Sequence, residues 1–205
     1  MTDRSLVVLS AGLRQPSTTR LLADQLTAAV AEQARRRELP LRVTPVEVRE
    51  HAHDVVNNLL TGFPSTALGT ALDSVTRADA LIAVTPVFNG SYSGIFKSFL
   101  EVLDRDALAG KPVLIAATGG TARHSLALEH AVRPLFSYAR AVVVPTAVFA
   151  APEDWSEQSA DGPLRARIQR AAAELTEQIS RYGGAATADP FALTTSFDQL
   201  LASGD

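Results

Sequence analysis

Three short stretches of the chain collect residue types suited to holding a phosphate at one end and a flat ring at the other. Residues 10–19, SAGLRQPSTT, carry Arg14 and four hydroxyls, Ser10, Ser17, Thr18 and Thr19, where a strand gives way to a helix. A helix N-terminus presents unpaired amides and a partial positive charge. Hydroxyl donors beside a guanidinium complete a pocket for a dianionic phosphate monoester. Ser17 or Thr18 also reads more simply as the N-cap of that helix. The stretch is not G-x-G-x-x-G and no G-K-[ST] follows it, which argues against a dinucleotide fingerprint and a nucleoside-triphosphate loop.

The second stretch, residues 84–94, reads VTPVFNGSYSG. Pro86 directs the chain out of a buried strand into Val87, Phe88, Asn89, Gly90 and Ser91. Asn89 and Gly90 tolerate positive φ, so the backbone can turn its amides toward a ligand. Phe88 and Tyr92 can border a ring, although Phe88 in the core and Ser93 as a helix cap are the simpler reading. The third stretch, Thr118-Gly119-Gly120-Thr121-Ala122-Arg123-His124, follows another strand. Paired glycines permit close approach to a planar surface, and Thr121 can cap the next helix. His124 is a surface or capping group unless a partner orients it for acid–base work. Together the loops describe a site shaped for flavin mononucleotide (FMN): ring, ribityl chain and one phosphate.

Other features carry less. His51, His53 and Asp54 invite a metal reading, but ligands two apart need an extended strand and a further partner. Arg35, Arg36 and Arg37 close a helix, where cations suit the dipole. Arg123 is a candidate for the 2′-phosphate of NADPH, and Trp155 either anchors a subunit contact or covers the core edge. Pro134 interrupts the helix after the third loop. It has no N–H for the carbonyl of His130, so a π-bulge or kink is expected near 130–134.

The elements that must position these loops alternate along the chain. Strands are expected at 4–10, 41–48, 79–85, 111–117 and 141–149, and helices at 17–37, 66–77, 94–104, 124–139 and 161–182. Residues 51–65 read as irregular. The pattern implies an α/β fold: a doubly wound five-stranded parallel sheet, order 2-1-3-4-5, with helices on both faces. In that order the loops after strands 1, 3 and 4 converge beyond the carboxyl ends, at the switch point where ligands bind. Residues 1–182 form a single domain, and 183–205 a tail whose Phe197, Leu200 and Leu201 either dock or stay free.

The 205 residues are 46% apolar and 20% charged, with a net charge of −3 and no cysteine. No basic field suits nucleic acid, and no apolar run approaches the ~20 residues that span a bilayer. Thiolate metal sites, disulfides and a cysteine nucleophile are excluded. A soluble cytoplasmic protein is expected.

The stretches TPVFNGSYSGIFKSFLEVLD (85–104) and ATGGTARHSLALEHAVRPL (117–135) are where the sequence resembles the NADPH-dependent FMN reductases of flavodoxin-like fold. Among these it is similar to the reductases that supply two-component flavin monooxygenases. The resemblance implies that Ser10, Arg14, Ser17, Thr18 and Thr19 hold the FMN phosphate. It implies that Pro86, Val87, Phe88, Asn89, Gly90 and Ser91 hold the ribityl chain and ring, and that Thr118, Gly119, Gly120 and Thr121 meet the ring edge. It also implies NAD(P)H as hydride donor near His124, a homodimer or homotetramer, and a subunit contact at His130. An NAD(P)H:quinone or azo reductase that retains its FMN, and a non-enzymatic flavin-binding electron carrier, are the alternatives.

Overall fold

The inner strands are almost wholly apolar, so each must be covered on both sides. In the computed structural model, which describes residues 3–156 and 162–181, these are β1 (Arg4–Ser10), β3 (Ala80–Phe88) and β5 (Pro112–Thr118). Alternate side chains sort into two cores. Val7, Leu9, Leu81, Ala83, Val113 and Ile115 face one layer of helices, and Leu6, Val8, Ile82, Val84, Leu114 and Ala116 face the other. The first layer holds α2 (Ala52–Thr61), α3 (Thr66–Arg77), α4 (Gly94–Glu101) and α5 (Arg133–Tyr138). The second holds α1 (Thr18–Arg36) and α7 (Pro163–Arg181), with Trp155 of the short α6 (Pro152–Ser156) packed against the same core. This is the doubly wound, flavodoxin-like arrangement. No helix among the described residues is long and apolar enough to cross a membrane.

The sheet has seven strands rather than five. Its order is β2-β1-β3-β5-β6, with β2 spanning Leu41–Glu47 and β6 Val142–Val143. One added strand, β4 (Ser91–Tyr92), turns back on the end of β3, pairing Val87 with Tyr92 and Phe88 with Ser91. The other comes from a break in the last strand. β6 and β7 (Val148–Ala150) both pair with β5, and the chain between them leaves the ladder. Pro145 cannot donate there. Arg133 instead takes the carbonyls of Val144 and Pro145 at 3.1 and 3.0 Å, and Glu174 takes the amide and hydroxyl of Thr146, each at 2.7 Å.

Two helices also differ from expectation. Residues 51–65 are not irregular: a 3-10 turn at Val48–His51 leads into α2, which buries Val55 and closes on Gly62 at φ 80°, its N–H donating to the Asn58 carbonyl at 2.8 Å. The single helix expected over 124–139 is a 3-10 turn at Ala122–His124, a π-helical segment at Leu128–Val132 and then α5. The π segment ends with the Arg133 amide bonded to the Leu128 carbonyl, just before Pro134, as the missing donor predicts. The tail 183–205 lies outside the described residues.

Candidate functional site

The parallel register brings the three loops together. Ser10 lies opposite Val84, and Pro86 opposite Thr118, so the first, second and third loops leave adjacent strands at one edge of the sheet. A hydrogen bond of 2.8 Å between the Thr19 and Thr118 hydroxyls ties the first loop to the third across 99 residues.

In the first loop, Ser17 is the N-cap of α1, and its oxygen accepts from the Arg20 amide at 3.2 Å. An accepting hydroxyl keeps its own proton for another partner. Gly12 passes so close that an added Cβ would sit 2.0 Å from Ser17 Oγ. Thr18 and Arg14 are exposed, and the Arg14 guanidinium has no partner among the described residues. Ser10 and Thr19 sit deeper than a surface phosphate pocket suggests, at 1% and 3% exposure. Thr19 acts as a strut to Thr118. The Ser10 hydroxyl is buried without a partner, a rare condition that marks a site able to take a further polar group.

The second loop is tighter than its composition suggested. Pro86 and Val87 are buried within β3, and only Asn89 (φ 51°) and Gly90 (φ 83°) form the connection to β4. Two successive positive φ angles make the type I′ hairpin that Asn-Gly favours. Phe88 is 47% exposed, so it is free to border a ring. Tyr92 is not: it is half-buried and packs on Phe96, with ring centroids 6.2 Å apart. Ser91 is half-buried opposite Phe88. Thr85, which the sequence reading passed over, anchors the hairpin. Its hydroxyl donates to the Pro86 carbonyl at 3.0 Å and accepts from the Ser93 amide at 3.1 Å, while Ser93 caps α4.

In the third loop the Gly119 amide donates to the Ala150 carbonyl at 3.1 Å. A Cβ on Gly119 would lie 2.7 Å from Phe149 Cζ, whereas Gly120 is exposed with nothing within 4 Å. Gly119 is thus needed for packing and Gly120 leaves its face open. Thr121 caps the following turn, accepting from the Arg123 amide at 3.4 Å. His124 and His130 are both exposed. His124 closes the 3-10 turn that follows the third loop's glycines, and His130 lies on the π segment. The metal reading of His51, His53 and Asp54 finds the three on the turn entering α2, with Asp54 accepting from Ser65 at 2.6 Å.

Gly12 was the tightly packed loop residue least visible in the sequence. A lone glycine between strand and helix was the available signal. The site as built offers amides at a helix N-terminus, hydroxyls, a free guanidinium, an exposed aromatic ring and an open glycine edge.

Comparison with known proteins gives the same direction. A family model described as NADPH-dependent FMN reductase matches residues 5–156. An FMN reductase (NADPH) of Pseudomonas aeruginosa is 36% identical over 168 residues, 82% of this chain and 88% of the relative. The NADH-dependent FMN reductase SfnE of Pseudomonas putida is 37% identical over 172 residues, 83% of this chain and 90% of the relative. An X-ray structure of an oxidoreductase from Corynebacterium diphtheriae superposes with a TM-score of 0.82 at 45% identity, covering 88% of this chain and 99% of that one.

Proposed function

The chain belongs to the NADPH-dependent FMN reductase family, and on that premise we propose how its three loops hold FMN and present it to a pyridine nucleotide. The protein is an NAD(P)H-dependent FMN reductase. FMN, when bound, supplies the chemistry: its N5 accepts a hydride from C4 of the nicotinamide. The chain's own residues bind, orient and shield. The free amides of the first turn of α1, the Ser17 and Thr18 hydroxyls and Arg14 take the phosphate. Ser10 serves it from below with its unpartnered hydroxyl. The Asn89–Gly90 turn and Ser91 serve the ribityl chain and ring, with Pro86 and Val87 as rigid support and Phe88 as a wall. Thr118, Gly119, Gly120 and Thr121 border the ring edge. His124 flanks the face left for the nicotinamide.

The observation that carries this reading is the Thr19–Thr118 hydrogen bond. It locks a phosphate-binding end and a glycine edge to each other, and both rings need a fixed relative position for a near-attack stack. The carboxyl ends of β1, β3 and β5, neighbours in the sheet, are where a parallel α/β fold of this kind takes its ligand, which supports the assignment. We further propose that reduced FMN is released to a flavin-dependent monooxygenase, and that the enzyme is a homo-oligomer with His130 at a subunit contact.

The test is anaerobic stopped-flow reduction by NADH and by NADPH, without FMN and then with FMN in excess. Many equivalents of free FMN reduced per protein is the expected result. Reduction that halts at one bound flavin and resumes only with a quinone would move the protein to the acceptor reductases. Tight FMN binding with no pyridine-nucleotide oxidation would make it a carrier. Absence of FMN binding would overturn the reading.

A further inference from the structure

The first loop also lines a cavity of about 360 Å³ whose opposite wall, with Arg49 and Glu50, the flavin assignment does not use. One wall is the first loop, Gly12 to Ser17, continued by Leu21 on α1; the other is the turn after β2, with Arg49 and Glu50. Three arginines line it, and they are not equivalent. Arg20 donates to Asp24 at 2.7 Å and to Glu47 at 2.6 Å, so its charge is answered within the protein. Arg14 and Arg49 have no partner among the described residues, although Arg49 is half-buried. A guanidinium held partly out of water and left unpaired is ready for an oxyanion. Leu21, 45% exposed, and Pro16 add an apolar surface beside the two cations.

We propose that this cavity is a second subsite, for the phosphate-bearing adenosine of a dinucleotide, with Arg49 as its recognition residue. The proposal rests on the flavin reading, because it takes the first loop to be occupied by the flavin phosphate. Two dinucleotides carry this chemistry: NADPH through its 2′-phosphate, and FAD through the phosphate and adenosine beyond the flavin half. The apolar wall suits the adenine and the free guanidinium suits the phosphate. Arg14, which lines this cavity and is also assigned to the flavin phosphate, couples the two.

The experiment is steady-state kinetics of Arg49→Gln and Glu50→Gln against wild type, with NADH, NADPH, FMN and FAD, and with 2′,5′-ADP and 5′-AMP as inhibitors. Losing one charge-assisted contact at a partly exposed site is expected to raise one KM by about five- to tenfold. A rise for NADPH alone, with weaker inhibition by 2′,5′-ADP, identifies the 2′-phosphate. A rise for FAD alone, with weaker inhibition by 5′-AMP, identifies the second phosphate of FAD. Glu50→Gln, which removes a negative charge from the same wall, is expected to shift that KM the other way. Arg49→Lys is expected to restore part of the loss. Unchanged KM values for both dinucleotides would overturn the proposal. An equal loss of FMN affinity would overturn it too, by giving the cavity to the flavin phosphate itself. Turnover of FMN with NADH in all variants keeps these outcomes apart from a failure of the reductase reading.

Discussion

At Gly12 the steric demand and the chemistry meet in one residue. A methyl group there would lie 2.0 Å from Ser17 Oγ, 3.1 Å from Ser17 Cβ and 3.2 Å from Thr19 Cβ. Rotating the serine hydroxyl away relieves the first contact but abandons the cap on the Arg20 amide, and the other two contacts stay tight. Gly12→Ala is therefore expected to destabilise the fold by roughly 1–2 kcal/mol, the usual cost of a lost cap. It is also expected to weaken FMN binding by about tenfold, because Ser17, the cap, is also the proposed phosphate donor. Gly120→Ala is the control for stability: nothing lies within 4 Å of its added Cβ, so its Tm should stay with the wild type. Thermal unfolding and flavin-fluorescence titration of the two variants measure both effects. An unshifted Gly12→Ala would show that the loop tolerates a different Ser17 rotamer.

At the scale of elements, Lys111 joins two of them. It leads into β5, and its ammonium donates to the Val75 and Thr76 carbonyls, at 2.5 and 2.9 Å, in the last turn of α3. The side chain is buried, and burial pushes its pKa down to about 8, with Asp79 opposing from a distance. Below about pH 8 the amine is charged in both folded and unfolded chains, and the folded state bears the full cost of burying it. Between about 8 and the unfolded value of 10.5 the unfolded chain holds the extra proton, so stability rises with pH. Relative to Lys111→Met, the wild type is expected to gain about 2 kcal/mol between those limits. Paired Tm measurements at pH 7 to 10 check this, and a constant difference would refute it. The same scale separates what the sequence disclosed from what it hid. Strands with apolar residues on both faces, helices at period 3.6 and the break at Pro134 are local signals, and they were legible. So were the loop glycines, since Asn89-Gly90 needs its neighbours only. The split of the last strand was hidden, because Arg133 and Glu174 act from elements 11 and 28 residues away. The helix at 52–61 was hidden for a related reason: its asparagines and valines are poor helix formers, and packing of Val55 decides the case. In the site, residue types did not disclose that Thr19 is bonded to Thr118 or that Tyr92 packs on Phe96.

Among the described residues, most of the exposed large apolar side chains lie on one layer of helices. On α2 and just beyond it Val56, Leu59, Leu60 and Phe63 are 50, 46, 81 and 80% exposed, and on α5 Tyr138 is 83% exposed. All belong to the layer α2–α5, which also carries the π segment and His130. The opposite layer, α1 and α7, shows only Leu21 among comparably exposed large apolar residues in the described part. A monomer rarely leaves four large apolar side chains of one helix and its end in water, and a homo-oligomer with closed symmetry covers them by self-pairing. The face also carries charged positions in self-contained pairs, Lys97 with Glu101 and Arg140 with Asp106, which need no partner subunit. Light scattering is thus expected to give a mass at least twice that of one chain. Leu60→Asp combined with Phe63→Asp should lower that mass, since two buried carboxylates without partners outweigh the remaining apolar contact. His130→Asp tests whether the π segment shares the contact. A wild type that runs as a monomer would remove both the interface and the role of His130, while leaving the proposed flavin site, which draws on one chain's three loops, untouched.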